Sequence, residues 1–366
     1  MKTLQRVGPM IGGVGMPIAA FILLIATWHR TLPIAIVIIV AVVLIGAVLA
    51  AVHHAEVVAH RVGEPFGSIV LAVAVTVIEV GLIITLMISG GHGTETLARD
   101  TAFAAVMITC NGIVGLSLLL GSLRHGLPRF NPEGTGAALA VVATLVTITL
   151  VLPRFTTSAD GGRFTGSQLA FVAIAAVAIY AVFISTQTRR HRDFFLPVNS
   201  KGKPISEEDH ATPPSVRTTV ISGILLAVSL VSVVGLGHAI SPSIEAGVAA
   251  AGIPNSFVGV VIAFIVLLPE GISASRAALR DRMQTSLNLA YGSAIASIGL
   301  TIPAIAVASI WLTGDLVLGL GPVQIVLLVL TMLVGTLTVI PGRATRLTGV
   351  VHIIILAAFV FLAISP

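Results

Sequence analysis

The chain has 366 residues, 56% of them hydrophobic and only 10% charged, and its mean hydropathy is +1.07. So few charges cannot clothe a soluble globule of this size, and a polytopic membrane protein is left. The formal net charge of +5 therefore speaks to membrane topology, not to a nucleic-acid partner, and the single cysteine, Cys110, excludes an intrachain disulfide or a cysteine-rich metal site.

In chain order, MKTLQRVGPM places Lys2 and Arg6 before an apolar stretch. No small-residue cleavage site with a hydrophilic mature domain follows, so this reads as a retained first helix rather than a removed signal. Eleven apolar segments are long enough to cross a hydrocarbon core of about 30 Å: roughly 10–28, 33–52, 66–89, 101–121, 136–152, 167–187, 217–238, 255–275, 286–312, 322–341 and 347–364. Residues 188–216, rich in charge and proline, read as a solvated linker between two halves. The expected architecture is all-α: an extra N-terminal helix (1–29), a first five-helix unit (30–187), the linker (188–216) and a second five-helix unit (217–366).

Eleven crossings sort the basic residues. Sixteen of the twenty Lys and Arg fall on the side of the N-terminus, and Arg30, Arg99, Arg154 and Arg163 fall on the other. Cytoplasmic loops are enriched in Lys and Arg, so the N-terminus is expected inside and the C-terminus outside, in a membrane such as the bacterial inner membrane.

Of fifteen acids, thirteen read as lying in connections or at membrane edges, and two, Glu79 and Glu270, fall within spans. A charged side chain at a span centre costs about 2.5–3.5 kcal/mol on insertion scales, so each needs a proton, a partner or a bound cation. A permanently protonated, structural glutamic acid is the alternative for either one alone.

The two occur in matching places. EVVAHRVGEPFGSIVLAVAVTVIEVGLI and IEAGVAAAGIPNSFVGVVIAFIVLLPEGIS each open on glycine and proline, continue as a small-residue apolar helix, and reach a carboxylate followed within two positions by glycine. The next spans align as well, setting Thr109 against Ser293 and Gly115 against Gly299. The acids lie in the third and eighth spans, and that odd offset makes the repeats run in opposite directions across the membrane. Inverted-topology repeats recur in secondary transporters.

These motifs resemble the alpha-1 and alpha-2 repeats of the calcium/cation antiporter superfamily. GEPFGSIVLAVAVTVIEVGLI and LLPEGISASRAALRDRMQTSLNLAYGSAIASIGLTIP are most similar to its bacterial sodium/calcium–proton antiporter branch, and the likeness runs from His53 to the last helix. The resemblance implies that Glu79 and Glu270 are the central cation and proton ligands, with the Thr109 and Ser293 hydroxyls on the facing helices. Many members carry an asparagine shortly before each acid, whereas VTVIE and VLLPE stand here and offer fewer side-chain ligands.

The residues themselves fit that chemistry. Calcium takes six to eight oxygens at about 2.3–2.6 Å, more than two carboxylates supply. Pro269 has no amide hydrogen, which deprives the Ile265 carbonyl of its helical donor, and Gly271 leaves room for a helix break beside Glu270. Protons and a cation then compete for the same carboxylate oxygens. Asn111 is either a ligand or an interhelical hydrogen-bonding group, and Ser293 and Ser297 are either ligands or close-packing residues. HHAEVVAHR, with His53, His54, Glu56 and His60, reads as a short amphipathic cytoplasmic helix rather than a metal site, and His352 as structural.

The expected activity is thus export of cytoplasmic Ca²⁺ in exchange for external protons, with Na⁺/H⁺ or K⁺/H⁺ antiport as the rival on the same scaffold, no resident cofactor, and the lipid bilayer as surroundings. A membrane enzyme lacks its nucleophile or metal set, since no H-E-x-x-H motif and no paired intramembrane aspartates occur. One acid per repeat, with glycine and proline at helix irregularities, fits alternating access better than a pore.

Overall fold

The computed structural model describes residues 11–30, 32–63, 66–89, 94–198, 213–312 and 314–366. Lys2, Arg6, the Glu64–Pro65 pair of the first repeat and linker residues 199–212 lie outside them. The described residues form α1 (Met16–Thr27), preceded by a π-helical turn at Ile11–Gly15, and ten longer helices. These are α2 (Ile34–Val62), α3 (Phe66–Ser89), α4 (Thr94–His125), α5 (Pro132–Arg154), α6 (Gly166–Arg190), α7 (Val216–Ala250), α8 (Ser256–Leu279), α9 (Met283–Ala308), α10 (Pro322–Val339) and α11 (Arg346–Ile364). Each of the ten is long and apolar enough to cross a bilayer, while the N-terminal helix is shorter than the first span expected from sequence.

Several boundaries move. With 29 and 35 residues, α2 and α7 are roughly 43 and 52 Å long, well beyond the hydrocarbon thickness. HHAEVVAHR is accordingly not a separate helix but the last turns of α2. His54 is buried there because Gly13 of the N-terminal turn packs on it, with Nε2 2.7 Å from the Gly13 carbonyl oxygen. Glu245, expected in a connection, lies in α7 and accepts a hydrogen bond from Ser241 Oγ. The first residues of the linker are also folded: Arg192–Phe195 form a helical turn, Phe195 is buried edge-on to Phe183, and its carbonyl accepts from Asn288 Nδ2 at 2.7 Å.

The helices gather into two compact units. One holds α1, α2, α3 and α7, and the other holds α4, α5, α6, α9, α10, α11 and α8 from Gly259 onward. In the first, α7 packs along α2 and against α1 and α3. Glycine sets these approaches: a Cβ on Gly81 of α3 would strike Val234 of α7, and one on Gly237 of α7 would strike Leu82 of α3. Small residues at such crossings replace the hydrophobic drive that helices lose in lipid.

In the second unit, connections assigned to one side of the membrane are hydrogen-bonded to each other. Phe130 N donates to Gly342 O at 3.0 Å and Ala344 N to Pro128 O at 2.9 Å, joining the α4–α5 and α10–α11 connections. At the opposite end, Gly319 N donates to Gly162 O at 2.8 Å, Val317 N to Glu95 O at 3.0 Å, and Arg163 pairs with Asp315. One helix miscounted between Glu95 and Gly342 would have put members of one of these groups on opposite faces.

Candidate cation site

The two acid-bearing helices are each 24 residues long. Counted from Phe66 and from Ser256, Glu79 is the fourteenth residue of its helix and Glu270 the fifteenth of its own. Both acids thus sit just past the middle of the span, where the bilayer is least able to solvate a charge. Glu79 is only 2% exposed, beside Ile78, Leu82 and Ile83, all buried. Glu270 is half-buried. Glu79 belongs to the first unit, and the other expected site residues, Thr109, Asn111, Ile265, Glu270, Ser293 and Ser297, belong to the second.

No break accompanies Glu270. The α-helix continues through Pro269 and Gly271 to Leu279, because one missing donor removes one ladder bond without interrupting the turns around it. Irregular backbone occurs instead in the span after each acid-bearing helix, as it also does at Thr147–Val151 of α5 and Thr186–Arg190 of α6. In α4, π-helical residues Ile108–Ile113 separate α-helical Leu97–Met107 and Val114–His125. In α9, π-helical Ser297–Thr301 separates Met283–Ala296 from Ile302–Ala308. Single π turns inside α-helices are rare and concentrate at functional sites.

Thr109 lies in the first of these turns, fully buried, and its hydroxyl donates back to the Ala105 carbonyl at 2.7 Å. Its lone pairs can still accept or coordinate. Ser293 is half-buried one turn before Ser297, which is buried and opens the second π turn. Ile113, the last residue of the first π turn, borders Gly271: a Cβ on that glycine would lie 3.7 Å from Ile113 Cγ1. The π turn of α4 is therefore in contact with the residue next to Glu270.

Asn111 makes interhelical hydrogen bonds at both ends of its amide. Nδ2 donates to Thr331 Oγ1 of α10 at 2.9 Å, and Oδ1 lies 3.1 Å from His352 Nδ1 of α11. The orientations follow from the chain of donors. Thr331 spends its hydroxyl hydrogen on Leu327 O at 2.8 Å, so it accepts from Asn111, and the amide oxygen is left to accept from the imidazole. His352 Nε2 lies 3.1 Å from Thr338 Oγ1. Asn111, Thr331, Thr338 and His352 are all buried. For His352 no partner is legible in the sequence, because its partners come from α4 and α10, 241 and 14 positions away.

A second buried acid lies near the start of α4. Asp100, expected in a connection or at a membrane edge, is 4% exposed in α4. Arg99 Nη2 pairs with its Oδ1 at 2.8 Å, Thr96 Oγ1 donates to its Oδ2 at 2.8 Å, and Gln324 Nε2 approaches Oδ1 at 3.4 Å. Its signal, the adjacent Arg–Asp pair at the start of an apolar run, is the same as that of an ordinary charged loop. Among the described residues, no group of three or more His, Cys, Asp or Glu is placed to hold a metal ion.

The sequence model of the sodium/calcium exchanger protein family matches residues 32–189 and 221–365. The chain belongs to this family. It is 47% identical over 327 residues to y4hA of Sinorhizobium fredii (strain NBRC 101917 / NGR234), a protein named as an ionic transporter, covering 88% of this chain and 87% of that one. It is 31% identical over 347 residues to the sodium-potassium/proton antiporter ChaA of Escherichia coli (strain K12), covering 94% and 93%. Among solved structures, native YfkE superposes with a TM-score of 0.73 at 15% identity, covering 98% of this chain and 99% of that one. The H⁺/Ca²⁺ exchanger CAX superposes with a TM-score of 0.69 at 15% identity, covering 98% and 93%. This exchanger is thus an integral membrane antiporter of the calcium/cation exchanger superfamily and not an enzyme, and its fold is the one its repeats predict.

Proposed function

We propose that this exchanger exports Ca²⁺ from the cytoplasm against entering protons, and that ion and protons compete for the carboxylates of Glu79 and Glu270. The observation that carries this reading is the matched placement of one glutamate just past the midpoint of each 24-residue acid-bearing helix. Thr109, Ser293, Ser297 and the Ile265 carbonyl are the additional oxygens nearest in sequence logic, while the Asn111 amide is engaged between helices.

Electroneutrality supplies the coupling. Two ionised carboxylates cancel the charge of one Ca²⁺, and two protonated carboxyls are neutral by themselves, so either loaded site can pass through the inside of the bilayer. The empty, doubly ionised site is costly there by several kcal/mol, which suppresses return without cargo and makes exchange obligatory. The minimum at this site is one Ca²⁺ for two H⁺.

A monovalent reading has support of its own: ChaA, a relative at 31% identity, is named for sodium, potassium and protons, whereas two relatives named as Ca²⁺/H⁺ antiporters are 22% identical. A cation panel in everted bacterial inner-membrane vesicles separates the two. Ca²⁺ added to respiring vesicles collapses the imposed pH gradient if the divalent reading holds, and a response to Na⁺ or K⁺ but not Ca²⁺ overturns it. The excess of Lys and Arg on the N-terminal side supports an inside N-terminus and an outside C-terminus. Cysteine labelling, after Cys110→Ser, at Arg280 from the cytoplasm and at Pro366 from outside tests that orientation.

A further inference from the structure

We infer that Asn111 and His352 are positioning residues for the Glu270 half of the cation site: their contact clamps the π-helical turn of α4, which contains Asn111 and whose last residue, Ile113, borders the residue after that glutamate. The inference rests on the assignment of Glu270 as a cation ligand. It adds a residue, His352, that touches no expected ligand except Asn111.

The geometry has three parts. A π turn holds one residue more than the α-helical turns on either side and is intrinsically the weaker arrangement, so something outside the backbone has to select it. Within Ile108–Ile113, the polar side chain directed to other helices is Asn111, and both ends of its amide are taken, by Thr331 and by His352. Hydrogen bonds of this kind, fully buried and satisfied, rigidify the element that carries them.

The second part is how closely α11 approaches. A Cβ on Gly115 would lie 2.8 Å from His352 Cβ, and one on Gly349 would lie 2.6 Å from Leu119 N and 2.9 Å from Gly115 O. The α4 and α11 backbones thus touch through two glycines, and Phe103 meets Phe359 edge-on with ring centroids 5.5 Å apart. The backbone and Cβ of His352 are thus held beside the π turn, and Asn111 and Thr338 orient its ring.

The third part is the other face of the same turn. Ile113 closes it and borders Gly271, the residue after Glu270. If the extra residue of the π turn were lost, the helix beyond it would rotate by about 100° and Ile113 would leave that contact. The clamp therefore fixes both the register of Thr109 and the side support of the Glu270 segment.

The imidazole can be replaced selectively. An asparagine at 352 keeps a donor near the place of Nδ1, a glutamine moves it toward the place of Nε2, and a leucine removes both. The test uses the full-length protein in proteoliposomes, with Ca²⁺ as the probe ion and Glu270→Gln as the null for exchange. His352→Leu and Asn111→Leu are expected to raise the half-saturating Ca²⁺ concentration roughly threefold to thirtyfold, the range for residues that couple to a site without touching its ligand. The maximal rate per inserted molecule should change less. His352→Asn should restore most of the affinity and His352→Gln little of it, and the double Leu variant should be no worse than the worse single one. Hydrogen exchange of the amides of residues 108–113 in purified protein, which needs no transport, should accelerate in both Leu variants and not in His352→Asn.

A residue that merely helped the protein fold would lower the yield and leave the half-saturation of the survivors unchanged, and that result overturns the inference. Unchanged exchange of the 108–113 amides in His352→Leu overturns it as well. If Glu270→Gln itself still exchanged ions, the glutamate assignment would fall, and the amide measurement would still decide whether the clamp exists.

Discussion

The third helices of the two repeats, α4 and α9, occupy equivalent places and share an unusual backbone, yet differ in what holds it. Each carries one π turn. Each also has a glycine at which the fifth helix of the opposite repeat comes close: a Cβ on Gly115 would lie 2.8 Å from His352 of α11, and one on Gly299 would lie 3.1 Å from Tyr180 of α6. At α4 the visiting side chain completes a hydrogen-bonded network. At α9 it is a tyrosine whose hydroxyl is buried and makes no hydrogen bond among the described residues. The two repeats therefore share the close backbone approach, but the side chain that makes it is hydrogen-bonded to the π turn at α4 and brings an unbonded hydroxyl at α9.

The largest expected effect tests where the repeats should be equal. Glu79→Gln and Glu270→Gln should each abolish cation-dependent proton movement while the protein still inserts, as read by flux in proteoliposomes and by membrane yield. Near-normal exchange in either variant would make that glutamate structural and the symmetry of the acids accidental.

Titration sharpens the same equality. If both carboxyls release a proton for each Ca²⁺ bound, apparent Ca²⁺ affinity should rise by up to about 100-fold per pH unit while both are protonated, against about tenfold for a monovalent ion displacing one proton. If the two carboxyls share one ion their titrations are coupled, and the slope then belongs to the pair and falls toward the lower figure as the first proton becomes easy to lose. Affinities measured from about pH 6 to 9 give this slope, and indifference of Ca²⁺ affinity to pH would remove the shared-site mechanism.

The glycines should separate the repeats. Gly115→Ala drives a methyl against His352 Cβ and the α11 backbone, neither of which can yield separately, and should cost about 1–3 kcal/mol. Gly299→Ala meets Tyr180 Cβ at the longer distance and should cost less than about 1 kcal/mol. Thermal stability of the two purified variants in detergent, compared side by side, checks the order. The smallest effect is expected at the tyrosine: Tyr180→Phe deletes a buried hydroxyl with no hydrogen bond to lose and should leave stability within about 0.5 kcal/mol of wild type or slightly above it. A loss of 2 kcal/mol or more, roughly what a satisfied buried bond costs to break, would mean that α9 has a lock like that of α4.

Much of this protein was determined by its sequence alone. Hydrophobic length marks the spans, because a bilayer imposes one thickness on every crossing. The parity of those spans, with the basic residues on alternate connections, assigned loops to sides, and the hydrogen-bonded pairs Phe130–Gly342 and Gly319–Gly162 agree with it. Glu79 and Glu270 stood out because an acid in an apolar helix is costly wherever the helix packs. Tertiary structure alone decided the rest. Asn111 and His352 are 241 positions apart and gain their meaning from two glycines that let α4 and α11 touch. Asp100 and Arg99 resemble any charged loop until Thr96 and Gln324 close around them. The irregular backbone fell in α4, α5, α6 and α9 and not at Pro269, since a proline removes a single bond, whereas a π turn depends on neighbouring helices that local sequence does not name.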